Sequence, residues 1–206
     1  MKFYKIINKE EIHHGLQYKD GLINDPKPFK PFGNCEPGGI YFSSNDILAF
    51  VDYGCWIREV TIPEDAKVYQ NLGTPEKWKA DRVFLHPRKK LWTVETIKKL
   101  IEEGANVKAN DSIALRKAAY KGHTDIVKLF IPLSNVKAGN SESLRGAVYN
   151  GHTDIVKLLI PYSDVNAIGS EALIWAIRKG HADIIKLLIP HSDVKVVEQL
   201  KKKGRI

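Results

Sequence analysis

The chain has 206 residues, 43% of them hydrophobic and 27% charged, with 32 basic against 24 acidic side chains and a formal net charge of +8. That length and balance predict a globular protein with room for two modest domains. Two cysteines, Cys35 and Cys55, do not make a disulfide framework and read as ordinary thiols. The opening MKFYKIINKEE lacks the apolar run of a signal peptide, and no apolar stretch approaches about 18 residues, so the expectation is a soluble intracellular protein.

Residues 1–92 do not repeat and predict an α+β domain. Lys2 to Ile7 alternates enough for a strand, Gly39 to Ser43 reads as another, and Trp56 to Ile62 alternates as a half-buried strand should. Between them, Ser44 or Asn45 is placed to cap a helix through Asp46, Ile47, Leu48, Phe50 and Val51 that Gly54 ends. The segment NDPKPFKPFGNCEPGG is a long proline- and glycine-rich loop of the kind that shapes sites. Thr74-Pro75-Glu76 predicts a second short helix with proline at its first position. On a strand, the adjacent His13 and His14 would point to opposite faces.

Residues 93–206 are organised by a 29-residue period: GHTDIVKLFI begins at Gly122, GHTDIVKLLI at Gly151 and GHADIIKLLI at Gly180. A period of that size predicts stacked units that bury their apolar faces only against their neighbours. Leu115, Leu144 and Leu173 with Ala118, Ala147 and Ala176 mark one face of a first helix in each unit. Ser112, Ser141 and Ser170 precede those helices as expected N-caps. A second helix follows each glycine, with a wide apolar stripe from Ile126 to Phe130 and its equivalents. Asp125, Asp154 and Asp183 favour the first turn of that helix, and Pro132, Pro161 and Pro190 stop it. The predicted units are a half repeat at 93–110, full repeats at 111–139, 140–168 and 169–197, and a short closing helix from Val194 to Leu200 with a charged, frayed end.

The segment AVYNGHTDIVKLLIPYSDVNA, with its Gly-His, Ile-Val, Leu-Leu and Asp-Val-Asn, resembles an ankyrin repeat, and the resemblance covers about residues 93 to 200. It implies an all-α solenoid with protein partners. The period is 29 rather than the 33 of that family, the usual Thr-Pro-Leu-His start is reduced to its Leu, and the missing residues come from the loop. The projecting loops should therefore be stubs, which shifts contact to the concave first helices. Ankyrin-like placement puts Tyr120, Lys121, Tyr149, Asn150, Arg178 and Lys179 there, with Arg145 nearby. Tyrosine and arginine are frequent interface anchors.

Other chemistries are weaker. His123, His152 and His181 recur with the period, but stacked helices lie about 8 to 10 Å apart, too far for one zinc ion with bonds of about 2 Å. They read as turn-stabilising residues, with no metal and no cofactor implied. Lys128, Lys157 and Lys186 form a solvated ladder beside the acidic first turns. Tyr120 and Tyr149 beside Lys121 and Arg145 leave nucleic-acid binding open as an alternative. No phosphate-binding glycine loop, Gly-x-Ser-x-Gly elbow or Cys-x-x-Cys is present in the sequence. In the N-terminal domain, His14-Gly15, Gly21-Leu22 and Gly38 to Ser43 distantly resemble the order of elements in ADP-ribosyltransferases. That resemblance implies NAD, with His14, Tyr41 and Glu59 as the catalytic candidates.

The whole layout, with HHGLQYKDGL, GGIYFS and DYGCWIREVTIPEDAKVY ahead of shortened repeats, resembles the ankyrin-repeat proteins encoded by giant viruses of amoebae. This implies a protein of the infected cell that engages host or viral proteins, and the expectation is a monomer in host cytoplasm or nucleus. No F-box-like segment follows the repeats. The reading favoured by the residues is a binding protein without turnover, whose basic stack suits an acidic protein partner and not a membrane. The competing reading is an enzyme whose repeats dock the substrate.

Overall fold

The computed structural model describes residues 1–32, 36–71 and 73–206, which form two compact units, Met1–Asn110 and Asp111–Ile206. Cys35 lies outside the described residues.

In the first unit, β1 (Phe3–Ile7) pairs antiparallel with β6 (Trp56–Thr61), which also pairs with β9 (Arg82–Leu85) and β10 (Lys89–Lys90); β9 in turn pairs with β4 (Gly21–Asn24). A second sheet holds β5 (Ile40–Phe42), β8 (Lys77–Ala80) and β7 (Val68–Asn71), in the order β5-β8-β7. A backbone bridge between Tyr4 and Ser43 ties β1 to the chain leaving β5. Ile7, Ile40, Phe42, Val60, Ala80, Val83 and Leu85 form the core, and Tyr18 is 2% exposed within it. Helix α1 (Val94–Glu102) is capped by the Thr93 hydroxyl, which accepts the Thr96 N–H. It belongs to this unit: Glu103 at its end pairs with Lys2 at 2.7 Å and accepts the Tyr4 hydroxyl, and Lys99 lies 3.6 Å from Glu59.

Three of the predicted strands are present, and three local expectations fail. Asn45–Tyr53 is a 3-10 helix with breaks at Asp46 and Phe50, and Ser44 makes no capping bond. The Ser44 hydroxyl instead bonds Glu76, and Asp46 accepts the Glu76 N–H at 2.8 Å, so the would-be capping region is used by a distant segment. Thr74-Pro75-Glu76 opens no helix. The residues after it form β8, because pairing on both sides with β5 and β7 overrides the local helix-start signal. His13 lies in β2 (Ile12–His13), which pairs with β3 (Leu16–Gln17), while His14 falls in the two-residue turn between them with Gly15, both at positive φ. The two histidine rings therefore do not point to opposite faces; their centroids lie 4.0 Å apart.

The second unit alternates long and short helices: α2 (Ala109–Lys121), α3 (Thr124–Phe130), α4 (Ala138–Tyr149), α5 (Thr153–Leu159), α6 (Ala167–Lys179), α7 (Ala182–Leu188) and α8 (Val194–Lys202). Leu115, Leu144 and Leu173, and Ala118, Ala147 and Ala176, are all fully buried, as the period requires. Each short helix runs into one 3-10 turn that contains the proline, such as Ile131–Leu133.

The serines do something other than cap. The residues at the head of each long helix, Asn110 to Ser112, Gly139 to Ser141 and Ile168 to Ser170, all have positive φ and make a short left-handed turn. From that turn the buried Ser112 hydroxyl accepts the N–H of Asn135 at 2.9 Å, and Ser141 accepts that of Asp164 at 2.8 Å, each in the loop that closes the same 29-residue unit. In the third rung Asn166 takes over, accepting the Asp193 N–H at 2.7 Å and the Ser170 hydroxyl at 3.0 Å. The two serine bonds tie the head of a first helix to the loop after the second, and the Asn166 bond crosses to the next unit, neither of which a cap within one helix can supply.

Candidate functional site

The first-helix face of the second unit carries two ladders. One is internal. Arg116 pairs with Glu142, and Arg145 with Glu171, so that α2 is tied to α4 and α4 to α6. Arg145 also donates to the carbonyls of Asn140 at 3.1 Å and Gly139 at 3.0 Å, closing the left-handed turn of its own helix. Three acceptors engage this guanidinium, so Arg145 is a part of the scaffold. Asn150 likewise donates back to the Gly146 carbonyl at 3.0 Å.

The other ladder faces outward. Tyr120 is 49% exposed. Its side chain lies against Gly146, where an added Cβ would sit 3.5 Å from the tyrosine ring. One period further on, Gly146 is replaced by Trp175, whose ring meets Tyr149 edge to face at 5.0 Å. The Arg178 guanidinium lies over Trp175 at 5.3 Å, and the Lys179 ammonium over Tyr149 at 4.1 Å. Two half-buried aromatic rings are thus held by each other and rimmed by two exposed cations. Contacts of this kind immobilise the rings before any partner arrives, which lowers the ordering cost of binding.

Of the residues singled out from the sequence, Tyr149, Arg178 and Lys179 come together, with Tyr120 on the neighbouring helix. Lys121 is exposed beside Tyr120. Trp175 was missed. Its signal was present as a large aromatic at a ladder position that holds Lys117 and Gly146 in the preceding units.

Two of the repeat histidines, expected from the sequence only to stabilise turns, reach between units. His152 donates from Nε2 to the Tyr120 carbonyl at 3.0 Å, and His181 approaches the Tyr149 carbonyl at 3.4 Å. Each ring covers a glycine of the preceding unit: a Cβ on Gly122 would fall 2.7 Å from the His152 ring, and one on Gly151 2.9 Å from His181. Both glycines also have φ near +80°, where a side chain is strained. The Gly-His pair thus serves packing twice over. Among the described residues no group of three or more potential ligands could hold a metal ion.

In the first unit the three residues implied by the ADP-ribosyltransferase resemblance do not share a cavity. Tyr41 lines a cavity over β1 and β5 with His13, whereas Glu59 lines a different recess with His86, and His14 lines neither. The Tyr41 hydroxyl accepts the Glu36 N–H at 3.3 Å, and its ring receives the buried Lys79 ammonium at 4.8 Å. Burial, followed by the charges of Lys5 and His14, lowers His13 to a pKa of about 4. Burial alone would raise Asp25, but the N–H groups of Lys27, Gly39 and Gly38 outweigh it and hold this carboxyl below its usual range. It thereby anchors both ends of the proline-rich loop.

The profile for ankyrin repeats matches residues 93–168 and 141–199, just over half of the chain. The chain belongs to the ankyrin-repeat family. Its match begins in the helix that packs with the first unit and ends within α8, so the helical solenoid is the family's fold, here with a strand-rich unit ahead of it. Ankyrin repeats are protein-interaction modules, and this one presents its aromatic-cationic face on the first helices. The chain is similar to three proteins of Acanthamoeba polyphaga mimivirus. The ankyrin repeat protein R868 is 31% identical over 63% of this chain and 66% of its own length. The ankyrin repeat protein R229 is 33% identical over 61% of this chain and 46% of its own. The uncharacterized protein R869 is 33% identical over 61% of this chain and 94% of its own length. The chain thus spans about half to two thirds of the first two relatives. Among the described residues, no helix is long and apolar enough to cross a membrane.

Proposed function

We propose that the protein binds a host or viral protein in an infected cell, through the first-helix face centred on Tyr149 and Trp175. The observation that carries this reading is the pre-set ring pair with Arg178 and Lys179 over it. Such a surface joins the residue types enriched at interface centres with positive charge at the rim. The carboxylates nearest the scaffold arginines, Glu142 and Glu171, are occupied by Arg116 and Arg145. The outward charge is therefore cationic, which favours a partner with an acidic surface and speeds its encounter. The viral relatives support a viral setting, the host cytoplasm or nucleus is part of the proposal, and repeats without long loops support a helix-face contact.

The test is quantitative recovery of partners from Acanthamoeba lysate by the full chain and by a variant with Tyr149, Trp175 and Arg178 all changed to alanine. Loss of specific partners by about tenfold or more, equivalent to about 1.4 kcal/mol, is the expected result. A control variant changes Lys128, Lys157 and Lys186 on the short helices and should recover the same partners as the parent. Equal recovery by both variants would move the binding surface elsewhere, and recovery that vanishes on nuclease treatment would favour a nucleic-acid partner.

A further inference from the structure

Two contacts between repeats in the second unit share one pattern: a glycine in the left-handed conformation, a backbone carbonyl two residues before it, and an apolar flank. Gly122 lies under the His152 ring, while the Tyr120 carbonyl accepts from Nε2 of that ring at 3.0 Å. Gly151 and the Tyr149 carbonyl hold His181 in the same manner, at 3.4 Å. The flank is closed in both places. Ala119 and Val148 on the first helices, and Val127 and Val156 on the second, are 0% exposed.

The same place exists a third time, and there it is open. Gly180 has φ +71°, and a Cβ on it would meet nothing within 4 Å. The Arg178 carbonyl stands where those of Tyr120 and Tyr149 stand, and no side chain of the described residues donates to it. Ile177 and Ile185 are half-exposed where their counterparts in the preceding units are buried, and Ala182 is exposed where Thr124 and Thr153 are half-buried. Helix α8 thus leaves this end of the solenoid uncovered. Terminal units of a repeat array ordinarily turn a polar face outward. Two half-exposed isoleucines beside an open glycine and an unused carbonyl are a contact surface of the kind already filled twice.

The filled places also show what fits. In both, the occupant is a seven-residue helix with histidine just before it, aspartate in its first turn and a branched apolar pair after that. His152 precedes Thr153–Leu159, with Asp154, Ile155 and Val156, and His181 precedes Ala182–Leu188, with Asp183, Ile184 and Ile185. The ring satisfies the carbonyl and covers the glycine, while α5 packs on α3 and α7 on α5. We infer that the open end at Gly180 binds, from another protein, an amphipathic helix led by histidine, so that the stack is continued in trans. Recognition then rests on the apolar face of a docked helix with the histidine fixing its register. This surface is separate from the aromatic face of the first helices.

The probe is a peptide of residues 151–165, GHTDIVKLLIPYSDV, held helical by a lactam between the side chains of Asp154 and Lys157, which lie 3.7 Å apart on the exposed side. It is titrated to about 3 mM, a range that covers millimolar affinity, into the full-length protein, and binding is followed by amide NMR. Saturable shifts are expected at Gly180, Ala182 and Ile185. A His152→Ala peptide should bind about fivefold more weakly, through loss of one hydrogen bond and the ring contact. Gly180→Asn in the protein should weaken the parent peptide about tenfold with the dispersed amide spectrum retained, because asparagine accepts the left-handed conformation while its side chain takes the ring's place. The variant with Tyr149, Trp175 and Arg178 changed to alanine keeps the carbonyl at position 178 and should bind the peptide as the parent does, so a failure at this end and a failure of the aromatic face are told apart. Absence of saturable shifts, or equal affinity for the two peptides, would overturn the proposal. Shifts of the same amides on dilution of the protein alone would assign this end to a second copy and overturn the separate partner.

Discussion

The two units solve the problem of stability in opposite ways. In the second unit the same contact is made again every 29 residues: a buried serine reaches the next loop, a histidine covers the previous glycine, and an arginine spans to the next helix. In the first unit each important contact occurs once. Arg58, 3% exposed, gathers Glu11, Asp20 and the His86 carbonyl from three separate segments. A repeated contact spreads its energy over several rungs, whereas a unique contact concentrates it.

That contrast can be broken most severely at Arg58. Arg58→Met leaves Glu11 nearly buried with one of its two cations gone, and loss of a buried pair costs about 3 to 5 kcal/mol. Hydrogen exchange should show residues 1–110 losing protection while the α4 to α7 region keeps it. Uniform loss over the whole chain would mean that the two units unfold together.

A smaller effect is expected from one rung. Ser141→Ala leaves the Asp164 N–H without its acceptor, at a cost of about 1 to 3 kcal/mol. Ser112→Ala should cost a similar amount at its own rung, and urea melts of the two variants and the double variant should show the losses adding. The third rung differs, because Asn166 does the serine's work there.

The smallest expected change is a gain. Ile168 stands in the left-handed turn at φ +53° and is 56% exposed, a poor place for a β-branched side chain. The preceding unit has Gly139 at this position. Ile168→Gly should raise stability by up to about 1 kcal/mol by relieving that strain, read as a shift in the urea midpoint. An unchanged or lower midpoint would mean that glycine's added freedom in the unfolded chain cancels the relief.

How much of this was readable beforehand follows the same division. The solenoid was legible because its stripes repeat, and Leu115, Leu144 and Leu173 declare one face three times. The serine ladder was misassigned for a physical reason: a hydroxyl just before a helix is placed equally well to cap that helix or to reach a neighbour, and the left-handed turn that aims it outward leaves no mark in residue type. In the first unit, β1, β5 and β6 were visible, but β7, β8 and β9 were not. Lys79 shows why, since a lysine 1% exposed above a tyrosine ring occupies a core-facing position that reads as solvent. The proposed interaction face is legible in part through its tyrosines and cations. Trp175 escaped because a position that changes from Lys to Gly to Trp appears unconstrained until the rings are seen to meet.

The glycine-histidine contact has a direction. Gly122 receives His152 and Gly151 receives His181, while a Cβ on Gly180 would meet nothing. The array is thus polar, with a donor side and a receptor side on every unit, like the subunits of a filament that grows from one end. A copied 29-residue unit spliced between two existing ones would find its own glycine occupied and its own histidine seated, without asking either neighbour to change. Array length could then vary between relatives by simple duplication, while the aromatic face lengthens by one helix each time.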